Sequence, residues 1–276
     1  MSPKRKCTPQ YNSIQKLQKC IEHIADELVC PITRELPINP VLADDGRIYE
    51  KSAIEKWFSK MRCEGKHIPI SPVTNDIIST KLLPCFQVRN NIEEIIRNGI
   101  LPDEKKNAWN DLLALEKEVN ETKIEARKGN VIAMVDLAFW YRDGIKNLPI
   151  DMNKSLEFFK KAAYYSNPIA LAHTGIFYIE GTLSSDNVRV IDQDIPTGFM
   201  MLGQAAVQHC DYACFILGEF YSRGKYIKLD KDKASEWYRK FMRCTKIHTT
   251  EEMLNISREY LRIHDTGNDS DLPDFK

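Results

Sequence analysis

The chain has 276 residues, enough for one large domain or two small ones, and its 43% hydrophobic and 28% charged content is that of a folded globular protein. Lys plus Arg and Asp plus Glu both number 39, which leaves no basic footprint for nucleic acid. No apolar run approaches the ~18 residues that span a bilayer, and no apolar segment follows the charged start Lys4-Arg5-Lys6, so neither a membrane span nor an export signal is expected.

In chain order, residues 1–11 read as a disordered basic tail. Ile14, Leu17, Ile21, Ile24 and Leu28 then recur by threes and fours, a helix with one apolar stripe that packs either on its own domain or on a second copy. From Cys30 to Leu83, prolines and glycines cut the chain into short pieces. Val41-Leu42 and Arg47-Ile48-Tyr49 around Asp45-Gly46 predict a hairpin. Ser52 is expected to cap a helix to about Met61, with Ile54, Trp57 and Phe58 on one face. A second helix starts near Phe86 and carries Val88, Ile92, Ile95 and Ile96. Asp103 is expected to cap a long helix holding Trp109, Leu112, Leu113, Leu115 and Val119, which stops at Gly129-Asn130.

After Gly129 the sequence repeats. Ala133, Leu137, Tyr141 and Gly144 match Ala170, Thr174, Tyr178 and Gly181, and then Ala213, Leu217, Tyr221 and Gly224. Asp151, Ser155, Phe158-Phe159 and Ala162-Ala163 likewise match Asp194, Gly198, Met201-Leu202 and Ala205-Ala206, then Asp230, Ala234, Trp237-Tyr238 and Phe241-Met242. Ala170 follows Ala133 by 37 positions and Ala213 follows Ala170 by 43, the longer gap coming from extra residues within Thr182–Gln193. Two helical patterns per unit at this period mean an α-solenoid, with small residues allowing close helix approach and the glycines ending the first helices. Glu251 to Ile263 reads as its capping helix, followed by an acidic tail.

The fold class expected is therefore mainly α with a small α+β domain. Its parts are a tail and the start of the N-terminal helix (1–23), a first domain (24–100), a linker helix (101–128), three repeats (129–248), and a capping helix with the acidic tail (249–276). The eight cysteines include no Cys-x-x-Cys pair and read as reduced thiols, consistent with a cytoplasmic location. No phosphate loop, nucleophile motif or acid–base pair is present, and no cofactor is implied.

The repeats resemble Sel1-like repeats, relatives of the tetratricopeptide class, most clearly at Leu217, Tyr221, Gly224, Asp230, Lys233, Ala234, Trp237 and Tyr238. The second repeat departs most, at Thr174 and Thr197-Gly198. The first domain resembles a U-box through Leu28-Val29-Cys30-Pro31-Ile32-Thr33, Pro40-Val41, Asp45 to Trp57, Ser71-Pro72-Val73-Thr74, Leu83-Pro84, Val88-Arg89 and Ile92. That resemblance implies a RING-like shape without zinc. Cys30, Cys63, His67 and Cys85 could supply four ligands by number, but no close ligand pair occurs among them. Asp44, Asp45, Glu50, Lys51, Arg89 and Asn90 are the candidates for holding the loops instead.

The resemblance further implies a RING-type E3 ubiquitin ligase, with a ubiquitin-charged E2 enzyme and ubiquitin as partners and a protein substrate or adaptor held by the repeats. In the first domain it implies an E2 groove of Ile32, Arg34, Trp57, Pro72 and Val73, of which Ile32, Trp57 and Pro72 serve either the groove or the core. Asn75 stands where many members carry an arginine linchpin between E2 and ubiquitin. Arg34 replaces an apolar residue, and Cys85 replaces the Asn that commonly follows Leu-Pro. The rival reading is a non-catalytic scaffold with a degenerate U-box. A pathogen effector of this kind would act in the host cytosol.

Overall fold

The computed structural model describes residues 25–66, 68–99, 101–182, 189–244 and 249–264, all but the side chain of Cys63. They form two compact units, one reaching Glu121 together with Gly144–Pro149, the other holding Thr122–Asp143 and the chain from Ile150 onward.

The first unit begins with a short antiparallel hairpin, β1 (Pro40–Leu42) and β2 (Ile48–Glu50), with Val41 opposite Tyr49. Gly46 takes the left-handed turn position at φ 73°, which glycine adopts without strain. Helix α1 (Lys51–Cys63) follows, then β3 (Leu83–Pro84) on the other edge of β1, helix α2 (Phe86–Arg97) and the long helix α3 (Asp103–Arg127). One core gathers Cys30, Val41, Tyr49, Ile54, Phe58 and Ile78. A second gathers Leu36, Ile38, Ile92, Ile96, Leu101 and Trp109. Each large side chain buried in these two small clusters contributes about 1.5–3 kcal/mol. Of the predicted apolar stripe, Leu28 packs on the second cluster, while Ile14, Leu17, Ile21 and Ile24 lie outside the described residues.

Two caps differ from expectation. Ser52 does not cap α1: the cap is Glu50, the last residue of β2, and it makes no side-chain cap bond. The helix leaves the strand directly, so Ser52 falls inside its first turn, its Oγ 3.4 Å from Glu50 Oε1. Asp103 likewise lies inside α3, where with Glu104 it favours the helix dipole from the first turn.

The second unit contains three helix pairs and a last helix. The pairs are α4 (Val131–Asp143) with α5 (Met152–Tyr164), α6 (Pro168–Glu180) with α7 (Ile195–Val207), and α8 (Asp211–Arg223) with α9 (Lys231–Arg243); α10 (Glu251–His264) packs on α9. The repeated residues do repeated work. Ala133, Ala170 and Ala213 are all buried. Gly144, Gly181 and Gly224 are left-handed at φ 66°, 61° and 64°. Asp151, Asp194 and Asp230 each cap the second helix of a pair, accepting from the N–H of Lys154, Thr197 and Lys233.

The departures in the middle pair have a packing reason. A Cβ on Gly198 would lie 2.4 Å from Ile179 Cγ1 and 2.5 Å from the Gly175 carbonyl oxygen. Here α6 and α7 meet backbone to backbone, which the side chains of Ser155 or Ala234 at the matching positions would prevent. Thr174 is buried where the other pairs have Leu137 and Leu217. The expected loop insertion lies partly outside the described residues, at 183–188.

Candidate functional site

Two loops of the first unit are built alike. In Cys30-Pro31-Ile32-Thr33-Arg34-Glu35, the Cys30 N–H donates to the Glu35 carbonyl (2.9 Å) and the Arg34 N–H donates back to the Cys30 carbonyl (2.9 Å). In Ser71-Pro72-Val73-Thr74-Asn75-Asp76, the Ser71 N–H donates to Asp76 (2.8 Å) and the Asn75 N–H donates back to Ser71 (3.2 Å). The fifth residue is left-handed in both, Arg34 at φ 63° and Asn75 at φ 62°. The proline at the second position fixes one φ, and the left-handed residue closes the turn.

The second loop is tied to the hairpin and to α1, and the stretch after the first loop is tied to the end of β2. Asp45 Oδ2 accepts from Tyr49 Oη (2.7 Å) and Ser71 Oγ (2.6 Å), and Asp45 Oδ1 accepts from the Arg47 N–H (3.0 Å). Ser71 Oγ in turn accepts from the N–H groups of Val73 and Thr74. Burial pushes the Asp45 carboxyl up, but the bonds from Ser71, Tyr49 and Arg47 outweigh it and hold it below the usual carboxylate range. Burial, then the bond to Asp45, raises the Tyr49 phenol to about 12. Asp44 accepts from the Ser79 N–H (2.8 Å). Glu50 Oε2 accepts from the N–H groups of Ile38 (2.8 Å) and Asn39 (2.9 Å).

Of the candidate loop-holding side chains, Asp44, Asp45 and Glu50 thus do that work. Arg89 also reaches Asn39 Oδ1 just ahead of β1 (3.5 Å), besides pairing with Glu93 and, at 2.9 Å, with Glu116 on α3. Lys51 reaches Glu55 within its own helix, and Asn90 is exposed. Among the described residues no three His, Cys, Asp or Glu side chains gather to hold a metal ion. His67 and the Cys63 side chain lie outside those residues. Ser71, which anchors the second loop to the hairpin, enters the sequence reading only within the Ser71-Pro72-Val73-Thr74 run of the U-box resemblance.

The expected groove residues divide into two sets. Ile32 and Trp57 are half-buried, pack on the first core and line one cavity of about 350 Å³. The Trp57 Nε1–H donates to the Ile70 carbonyl (2.9 Å), joining α1 to the approach of the second loop. Pro72 is half-buried, Val73 is 43% exposed, and Arg34 and Asn75 are exposed. None of these four lines that cavity.

Residues 24–98 match the family model described as U-box domain, and residues 131–164 and 211–241 match the Sel1 repeat. The chain carries a U-box and Sel1 repeats. The Sel1 matches cover the first and third helix pairs; the middle pair, with its glycine contact, falls between them. U-box domain-containing protein 44 of Arabidopsis thaliana is 35% identical over 31% of this chain and 11% of its own length. WD repeat, SAM and U-box domain-containing protein 1 of Homo sapiens is 43% identical over 25% of this chain and 13% of its own. The probable bifunctional E2/E3 enzyme R795 of Acanthamoeba polyphaga mimivirus is 48% identical over 20% of this chain and 4% of its own. The chain therefore spans only a small part of these relatives. A solved Sel1 repeat protein from Oxalobacter formigenes is 24% identical, covering 52% of this chain and 98% of its own, with a TM-score of 0.39.

Proposed function

We propose that this chain is a RING-type E3 ubiquitin ligase whose U-box docks a ubiquitin-charged E2 and whose Sel1 repeats recruit a substrate or adaptor, in the cytosol. The supporting observation is the U-box match over 24–98, within which two loops of one build stand before and after α1 in the chain. On this reading Ile32, Trp57, Pro72 and Val73 supply the apolar docking face and Arg34 its polar edge. The thioester chemistry belongs to the E2. The ligase accelerates transfer by restricting a flexible conjugate to a reactive orientation, so no covalent residue is required of it.

Arg34, Cys85 and Asn75 favour a second reading, a scaffold whose U-box no longer engages an E2 productively. Purified full chain with E1, ubiquitin and a panel of E2 enzymes separates the two. Autoubiquitination with any E2 establishes the ligase, and silence across the panel establishes the scaffold. A second copy pairing through the stripe Ile14 to Leu28 is read independently, from the molecular mass in solution.

A further inference from the structure

The first helix pair carries a surface that its repeat architecture does not require. Ala126 and Met134, both buried, with Arg127, Lys160, Lys161 and the Tyr164–Tyr165 pair, line an open cavity of about 620 Å³ in the second unit. Three cations line it and no carboxylate does. Lys161 is paired with Glu157 and Lys160 sits 5.2 Å over the Tyr178 ring, but neither Lys160 nor Arg127 has a carboxylate partner among the described residues. Tyr164 is 85% exposed and Tyr165 55%, their rings edge to face at 5.4 Å. Exposed adjacent tyrosines give up apolar burial and stabilise no core, so their presence asks for a partner.

Internal comparison supports this. The positions of Tyr164 and Tyr165 are held by Val207 and Gln208 in the middle pair and by Arg243 and Cys244 in the third. Lys160 and Lys161 correspond to Gly203 and Gln204 in the middle pair and to Arg239 and Lys240 in the third, so the tyrosines, not the cations, set the first pair apart. The helix pairs therefore form without this combination. Tyrosine and arginine are the residues most enriched at interface anchors, because they offer rigid area with a polar end. A cavity of this volume accommodates a bulky apolar side chain, and its cations select carboxylates on either side.

We infer that this cavity is the receptor for an acidic segment of a protein partner with one bulky apolar residue among its carboxylates. The inference rests on the recruiting role proposed above and gives it a location and a substrate class. Nucleic acid is the poorer fit, since the chain carries 39 basic and 39 acidic residues, and tracking a phosphate backbone takes more cations than this cavity presents.

The test uses the full chain and fluorescence anisotropy. The probe is a labelled peptide of aspartates and glutamates around one leucine. The same peptide with glutamines in place of the acids, and labelled oligothymidylate, serve as comparisons. The acidic peptide should bind saturably and more weakly as salt rises. Lys160→Glu and Tyr164→Ala should each lower affinity about tenfold, while Lys231→Glu, at the start of α9, should leave it unchanged. Tyr164 is almost wholly exposed, so its truncation leaves the fold intact. No saturable binding, affinity indifferent to both Lys160→Glu and Tyr164→Ala, or equal binding of oligothymidylate overturns the proposal. E2-dependent autoubiquitination of the same preparation keeps the two readings apart. Ligase activity without peptide binding removes the receptor alone, and peptide binding without ligase activity removes the ligase alone.

Discussion

Arg34 and Asn75 hold the same position in two loops of the same build, each left-handed and each donating its N–H four residues back. The energetic consequence differs between them. Asn visits this region readily, whereas for Arg it costs roughly 1–2 kcal/mol. Arg34→Gly should therefore stabilise the U-box by about 0.5–1 kcal/mol after the added freedom of the unfolded chain is counted, and Asn75→Gly should change little. The midpoint of denaturant unfolding checks both. A destabilised Arg34→Gly would mean that the arginine side chain holds the loop.

The same equivalence shapes the test of docking. On the proposed docking face, Ile32→Ala should weaken E2 binding about thirtyfold, the ~2 kcal/mol that truncating an interface anchor commonly costs. Asn75→Arg places at the second loop the residue that the first already tolerates with the same backbone. It should barely change E2 affinity but speed discharge of ubiquitin onto free lysine, because a charged fork reaches both E2 and ubiquitin. Full activity in a well-folded Ile32→Ala would show the docking face to be elsewhere.

Cys85 is the cap of α2, and its side chain makes no cap hydrogen bond. Asn at a cap accepts from an otherwise unpaired N–H of the first turn. Cys85→Asn should therefore raise stability by about 1 kcal/mol, read as a shift of the thermal midpoint. No shift would mean that the bond from the Cys85 N–H to the Pro40 carbonyl (2.8 Å) already fixes this helix end.

Two glycines of α7 should respond in opposite directions. Gly203 has open space where a Cβ would sit, so Gly203→Ala should stabilise by up to about 1 kcal/mol through helix propensity. Gly198→Ala drives a methyl into the Gly175 carbonyl and Ile179, and should destabilise by roughly 1–3 kcal/mol. Equal effects from the two would show that α6 and α7 part more easily than their contact implies.

Stability should fall at both ends of the pH scale for a reason centred on Asp45. Its carboxyl is held below 3.8, so the associated stability is present above that value and is lost as pH falls through the lower folded value. The Tyr49 phenol is raised from 10.0 to about 12, so its contribution is whole below pH 10 and is lost as pH climbs through the raised value. Burial and the bond to Glu219 raise Tyr238 in the same direction. Tyr49→Phe should cost about 1 kcal/mol at neutral pH and shrink the alkaline loss between 10 and 12. Unfolding midpoints across pH measure both, and an alkaline limb untouched by Tyr49→Phe would refute this assignment.

Legibility in the sequence followed the distance over which residues act. The solenoid was readable because Ala133, Tyr141, Gly144 and Asp151 act within one helix pair and return twice. The hairpin was readable because Asp45-Gly46 is a local turn. Ser52 misled because a local cap preference lost to continuity with β2, which had already placed Glu50 at the helix start. The Asp45–Ser71 bond joins residues 26 positions apart, and no periodicity or turn rule reaches that far. The arginine and asparagine of the two loops were noticed as departures from a family, but their shared backbone emerged only in three dimensions.

The contact between Gly175 and Gly198 sets unequal evolutionary freedom along the array. The matching positions are Ala138 and Ser155 in the first pair and Gly218 and Ala234 in the third, so at least one of each two carries a side chain that can be exchanged for another small one. The middle pair has no side chain left to exchange at that point. Among descendants of this chain, those two glycines should persist after the helix faces around them have diverged.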